Sequence, residues 1–200
     1  AASRIILTHT NDEVRELNLM ARDRMRRAGD LGGDATVETA RGDRQFASGD
    51  RIMFLRNERG LGIKNGTLGT VEVAYPARMA VRTDDGRKVA LETRDYAHID
   101  HGYAATIHKA QGVTVDRSHV LATPRIDSHA SYVALSRHRD GTDLHYGKDD
   151  FADQSKLLRL LGRERAKDMA SDHTELDPAK AFAERRGITF RERIAELVRK

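Results

Sequence analysis

With 200 residues, of which 38% are hydrophobic and 33% charged, the chain is long enough for one sizeable domain carrying an inserted module, with a modest core and a heavily solvated surface. The absence of cysteine excludes a disulfide frame and a thiolate zinc site. No apolar run approaches the ~18 residues of a membrane span and no segment reads as a signal peptide, so the expected setting is reduced and cytoplasmic, with no membrane partner. The net charge of +4 comes mostly from the C-terminal quarter and is too weak a bias to point to nucleic acid by composition alone.

The chain opens directly on Arg4-Ile-Ile-Leu-Thr-His9, which reads as a strand. So abrupt a start is what a piece of a longer protein would show. Thr10-Asn-Asp-Glu13 has the capping-box form. Val14, Leu17, Ala21, Met25 and Ala28 follow at helical spacing, and Gly29 is a natural stop. This predicts a helix over 11–28. Residues 29–49, rich in Gly, Asp and Thr, read as loop or short strand.

The period then changes. Arg51–Arg56 reads as a strand, Asn65-Gly66 is a hairpin signal, and Thr67–Ala74 can return. Met79–Thr83 and Lys88–Glu92 flank Asp85-Gly86 as a second hairpin. Short strands this close together predict a small β-barrel or curved meander over 44–98. Its cations Arg56, Arg59, Lys64, Arg82, Arg87 and Lys88 suit single-stranded DNA, with base stacking left to Phe54 and Tyr75. A structural barrel with a solvated face explains them equally well.

Alternation resumes after the barrel. Residues 103–110 read as a helix ending near Gly112, Ser118–Ala122 as a strand, 128–138 as a helix and Thr142–Tyr146 as a strand. That order predicts an α/β fold with a parallel sheet over 1–43 and 99–150, interrupted by the barrel. Residues 151–200 read as a charged helical tail: Leu157, Leu158, Leu160 and Leu161 form one apolar face, and Pro178 precedes a second helix with Ile194, Leu197 and Val198. His98, His101 and His108 lack a carboxylate partner at metal-ligand spacing, so no metal site is expected.

Two stretches carry chemistry. Gly102-Tyr-Ala-Ala-Thr-Ile-His-Lys-Ala-Gln-Gly112 can present Thr106, His108 and Lys109 to a phosphate backbone, and Gln111 can orient water or reach a sugar or phosphate. In Tyr132-Val-Ala-Leu-Ser-Arg-His138, Arg137 stands at the end of a short helix. A lone arginine there is usually a surface charge; the functional reading is an arginine finger on a transferring phosphoryl group. The phosphate-binding pattern G-x-x-x-x-G-K-[ST] occurs nowhere in the sequence.

Together, Thr-Ile-His-Lys-Ala-Gln-Gly-x-Thr and Tyr-Val-Ala-Leu-Ser-Arg resemble motifs V and VI of superfamily-1 helicases of the RecD type. They are more similar still to the helicase part of conjugative relaxases, the TraA/Ti-type mobilisation family. Thr8–Asn18, Gly49–Arg56, Lys64–Gly69 and Asp100–Tyr103 share the likeness, which covers about residues 3–151. The resemblance implies the second RecA-like domain of a helicase with a Src-homology-like barrel inserted before motif V, and ATP-powered 5′-to-3′ movement on single-stranded DNA. It implies that Arg137 is the finger, that Gln111 and Gly112 line the nucleotide cleft with Arg139 beside them, that Arg15 or Arg22 of the opening motif reaches nucleotide or DNA, and that Thr106, His108 and Lys109 face DNA, to which the barrel's Arg56 and Lys64 add their charge. ATP and Mg²⁺ would be held mainly by a first RecA-like domain of the same parent chain, beside a relaxase domain, and this chain alone would not hydrolyse ATP. Relatives carry an acidic ribose-holding residue after the motif V glycine, where this chain reads Val113-Thr-Val-Asp116. The competing readings are a RecD-like repair helicase and a non-catalytic module that binds single-stranded DNA.

Overall fold

The computed structural model describes residues 2–151 and 153–163, all within the compact unit Ala1–Glu164. In β1 (Arg4–Thr8) Ile5 and Leu7 are almost fully buried, so the strand is central rather than exposed. Helix α1 (Asn11–Arg27) begins as its capping box requires: Thr10 Oγ1 accepts from Glu13 N, and the Glu13 carboxylate accepts from Thr10 N. Acidic residues in its first turn and basic ones in its last complement the helix dipole.

Two strands, β2 (Ala35–Thr39) and β3 (Gly42–Phe46), form a hairpin within 29–49. The strands β4 (Arg51–Phe54), β5 (Leu68–Ala74), β6 (Arg78–Thr83), β7 (Lys88–Glu92) and β8 (Ile99–His101) form an antiparallel sheet of order β7-β6-β5-β4-β8. Its core gathers Ile52, Phe54, Val71, Val81, Leu91 and Ile99, with Val37 and Phe46 of the hairpin. Phe54 is fully buried, so the expectation that it stacks on bases is withdrawn: it is a core side chain, and only Tyr75, about half exposed, remains for that role.

The chain then returns to the first sheet. After β9 (Ala104–Thr106) come β10 (Val115–Ala122), α2 (Ser128–Leu135), β11 (His138–Tyr146) and α3 (Gln154–Leu161). The order β11-β10-β1-β9, parallel at every pairing, is the α/β sheet that the alternation predicted. One expectation fails here. Residues 103–110 are not a helix: Ala104–Thr106 pair with Ile6–Thr8 as an edge strand, and turns follow to Gly112. Strand pairing overrides the helix propensity of Ala-Ala-Thr-Ile-His-Lys-Ala. On the open side of β9, the buried Asn18 of α1 accepts from Ala104 N at 2.9 Å and donates to Ala104 O at 3.2 Å. One amide thus serves backbone groups that an edge strand leaves unpaired.

The two sheets share packing. Met53 and Leu68 of the antiparallel sheet lie in the same cluster as Ile5, Leu7, Val115 and Val120. Gly102 sits where the chain crosses between them; a Cβ there would lie 2.5 Å from the carbonyl carbon of Ile52, so only glycine fits. In α3, Leu157 is buried while Leu158 is 62% exposed, which splits the expected four-leucine face; the helix predicted around Ile194, Leu197 and Val198 lies outside the described residues.

Candidate functional site

Parallel order gives the sheet two unlike ends. At one, Thr8 pairs with Thr106 and Ile107 N donates to Thr8 O at 2.9 Å. At the other, Val115 pairs with His138, and Val115 N donates to Arg137 O at 3.0 Å. Residues 107–114 therefore run the length of the sheet, from the C-terminal ends of β1 and β9 to the N-terminal ends of β10 and β11.

At the first end, Thr106 is buried and its Oγ1 accepts from Lys109 N at 3.3 Å. His108 is exposed. Lys109 Nζ donates to Asn11 Oδ1 at 3.0 Å, which ties the turn to the start of α1. Burial, and next the nearby Arg41 guanidinium, hold the Lys109 ammonium below its usual range against the pull of Asp100. A cleft of about 760 Å³ opens beside Lys109 and takes in Arg15 and Arg22. Arg15 is exposed there. Arg22 is engaged: it pairs with Asp34 and, at 3.1 Å, with the fully buried Asp50.

The second end holds Arg137, half-buried, its Nε donating to Val133 O at 3.0 Å and its Nη2 to Ser136 Oγ at 2.9 Å. The guanidinium caps the C-terminus of α2, where cations are favoured, and keeps further N–H donors uncommitted. Close by, a cleft of about 430 Å³ brings together Lys64, Gln111, Gly112 and Arg139 with Thr114. Arg139 Nη1 pairs with Asp116 at 3.0 Å, and Asp116 also accepts from Ser3 N at 2.7 Å and Ser3 Oγ at 3.0 Å. The bond from Ser3 N, then that from Arg139, hold the Asp116 carboxyl below the usual carboxylate range. Gly66, at φ +87, places the Lys64–Thr67 turn against residues 109–113: a Cβ on it would meet Val113 Cγ2 at 3.1 Å. Arg56 stands apart from both clefts, with Nη1 3.2 Å from His98 Nε2.

Sequence reasoning did not single out Asn11, Arg41 or Arg44, and took Thr114 only as the end of the motif. Asn11 carried a signal, as the first residue after the helix cap; Arg41 lay in a stretch read as loop or short strand, and Arg44 at the start of the predicted barrel. Among the described residues no three His, Asp or Glu side chains come together to hold a metal, and no helix is long and apolar enough to cross a membrane. His101 is instead packed against Phe46 and Tyr103, its Nε2 3.0 Å from Gln45 O. The cleft beside Gln111–Thr114 mixes the donors Lys64, Gln111 and Arg139 with the carboxylates Asp84 and Asp85.

The fold places the chain among mixed α/β proteins whose parallel sheet resembles the RecA-like domain of Pif1 helicases. A Pif1 helicase from Bacteroides, solved with ADP-AlF3 and single-stranded DNA, superposes with a TM-score of 0.57 over 78% of this chain and 44% of that one, at 21% identity. Pif1 from Candida albicans gives 0.52 over 80% and 49%, at 19% identity. No protein-family model matches the chain. In sequence, the conjugal transfer protein TraA of Agrobacterium fabrum is 44% identical over 190 residues, 92% of this chain and 17% of that protein. The probable TraA of Sinorhizobium fredii is 40% identical over the same shares. The RecD2 DNA helicase of Deinococcus radiodurans is 34% identical over 112 residues, 54% of this chain and 15% of that protein. The chain is homologous to the TraA conjugal transfer proteins and to superfamily-1 helicases of the Pif1 and RecD2 kind, and it spans about one sixth of the TraA relatives' length.

Proposed function

We propose that this chain is the second RecA-like half of an ATP-driven DNA motor that acts in conjugative DNA transfer, with the antiparallel module, a Src-homology-like barrel, inserted before motif V. Arg137 is the arginine finger. Gln111, Gly112 and Arg139 belong to the nucleotide cleft; Arg15 and Arg22, which line the cleft beside Lys109 at the other end of the sheet, go with the DNA track instead. Thr106, His108, Lys109, Arg56 and Lys64 belong to the track for single-stranded DNA. A first RecA-like domain supplies the phosphate-binding loop, the Mg²⁺ ligands and the base for the attacking water, and a relaxase domain shares the parent chain; the 200 residues alone do not turn over ATP.

The observation that carries this reading is the course of residues 107–114. They carry His108 and Lys109 at their start and lead into Val115, hydrogen-bonded to Arg137. A strand gripped at one end of the sheet and a phosphate sensed at the other would move one continuous segment, and the Lys64–Thr67 turn leans on its middle. The near-complete coverage by TraA relatives, against about half by RecD2, favours DNA transfer over repair.

The binding half is tested by titrating the chain with labelled oligothymidylate at several salt concentrations. Affinity falls as salt rises, and Lys109→Ala lowers the slope of log affinity against log salt by about 0.7, one phosphate contact. Salt-independent binding, or an unchanged slope in the variant, contradicts the reading.

A further inference from the structure

The cleft beside Lys109 has a second wall that none of the motifs includes. One wall is a single face of α1: Asn11, Arg15, Asn18, Leu19 and Arg22, at spacings of four, three, one and three. The opposite wall is the β2–β3 hairpin, which presents Arg41 from its turn and Arg44 from β3. Between them, on β8, stands Asp100. It pairs with Arg41 at 3.2 Å and with Arg44 at 3.5 Å, so two guanidiniums share one carboxylate.

We propose that this cleft is a further stretch of the single-stranded DNA track, in which Arg41 and Arg44 exchange Asp100 for backbone phosphates. The proposal rests on the DNA-motor reading above and extends it to the hairpin. Three observations support it. First, the ion pairs are not what holds the hairpin: Val37 and Phe46, both fully buried, anchor it in the core of the antiparallel sheet. Second, the pairs are exchangeable. Arg41 and Arg44 keep 46% and 33% of their side-chain surface and Asp100 keeps 22%, and ion pairs this exposed contribute little. A phosphate offers both guanidiniums charge-assisted, bidentate partners that one shared carboxylate cannot. Third, five cations (Arg15, Arg22, Arg41, Arg44 and Lys109) outnumber three carboxylates (Asp12, Asp43 and Asp100) along the cleft, which leaves it a positive excess for an anion. Leu19, 58% exposed beside Arg15 and Arg22, adds an apolar surface on which a base can rest.

Asp100 then acts as the stand-in anion of the empty track, and its removal has the opposite effect to removal of the arginines. The test is fluorescence titration of the 200-residue chain with oligothymidylate across a salt series, with thermal unfolding of each variant as the check on folding. The double variant Arg41→Ala, Arg44→Ala binds more weakly, and its slope of log affinity against log salt is smaller by about 1.4, two single-strand phosphate contacts. Asp100→Asn binds more tightly than the parent. If the double variant binds with the parent's affinity and slope while Lys109→Ala does not, the hairpin is no part of the track and this inference falls while the motor reading stands. If the folded parent chain does not bind oligothymidylate, both fall together.

Discussion

At the scale of single residues, Glu13 shows how a local motif reaches beyond its helix. Its Oε2 accepts from Thr10 N at 2.9 Å, from His9 N at 3.2 Å and from Thr8 Oγ1 at 2.5 Å. Burial alone would raise its carboxyl; the bond from Thr8, followed by those from Thr10 and His9, outweighs burial and holds it below the usual range. A carboxyl lowered in the folded state adds stability above its unfolded pKa and loses it as pH falls through the folded value. Glu13→Gln is therefore expected to cost about 1 kcal/mol near neutral pH and to flatten the loss of thermal stability between about pH 5 and pH 3. Melting curves across that range check it; parallel acid limbs in parent and variant would show that Glu13 has no such role. The capping box itself was legible in Thr10-Asn-Asp-Glu13. The reach back to Thr8, at the end of β1 and opposite Thr106, was not, because it depends on how β1 enters the helix.

At the scale of elements, legibility follows the range of the interactions. Local signals held: the capping box set α1, and Asp85-Gly86 set the β6–β7 hairpin. The failures were long-range. Ala104–Thr106 became a strand because β1 and Asn18 supply its partners from about a hundred residues away. The β2–β3 hairpin was only half legible, in a stretch read as loop or short strand, because its alternation is weak outside Val37 and Phe46. Of the candidate site, the motif residues were readable, while the joint between α1 and the antiparallel sheet was not. That joint is Asp50, fully buried, which accepts from Ala47 N at 2.7 Å, Arg22 Nε at 3.1 Å and the Tyr103 hydroxyl at 2.7 Å. Burial, and then the Asp50 carboxylate, push the Tyr103 phenol well above its usual range. The network ties α1, the start of β4 and the entry to β9. Removing the carboxylate leaves Arg22 with Asp34 alone and the Ala47 N–H and Tyr103 hydroxyl without an acceptor, so Asp50→Ala is expected to lose about 2–4 kcal/mol of stability. Urea denaturation measures this, and a loss below about 1 kcal/mol would mean that Arg22 finds water or Asp34 sufficient.

At the scale of the whole molecule, the parallel sheet and the antiparallel sheet meet along residues 107–114. Motif V thereby becomes a physical link: one end lies by Lys109 and Asn11, the other by Arg137, and the middle is braced by the Gly66 turn. The central claim is that Arg137 acts on phosphoryl transfer and not on DNA. The most direct measurement is ATP hydrolysis, stimulated by single-stranded DNA, in a TraA-type protein that carries this segment together with the phosphate-binding half, comparing parent and Arg137→Ala. The account predicts a fall in turnover of about 10³-fold or more, with affinity for single-stranded DNA unchanged; turnover within a few-fold of the parent would contradict it.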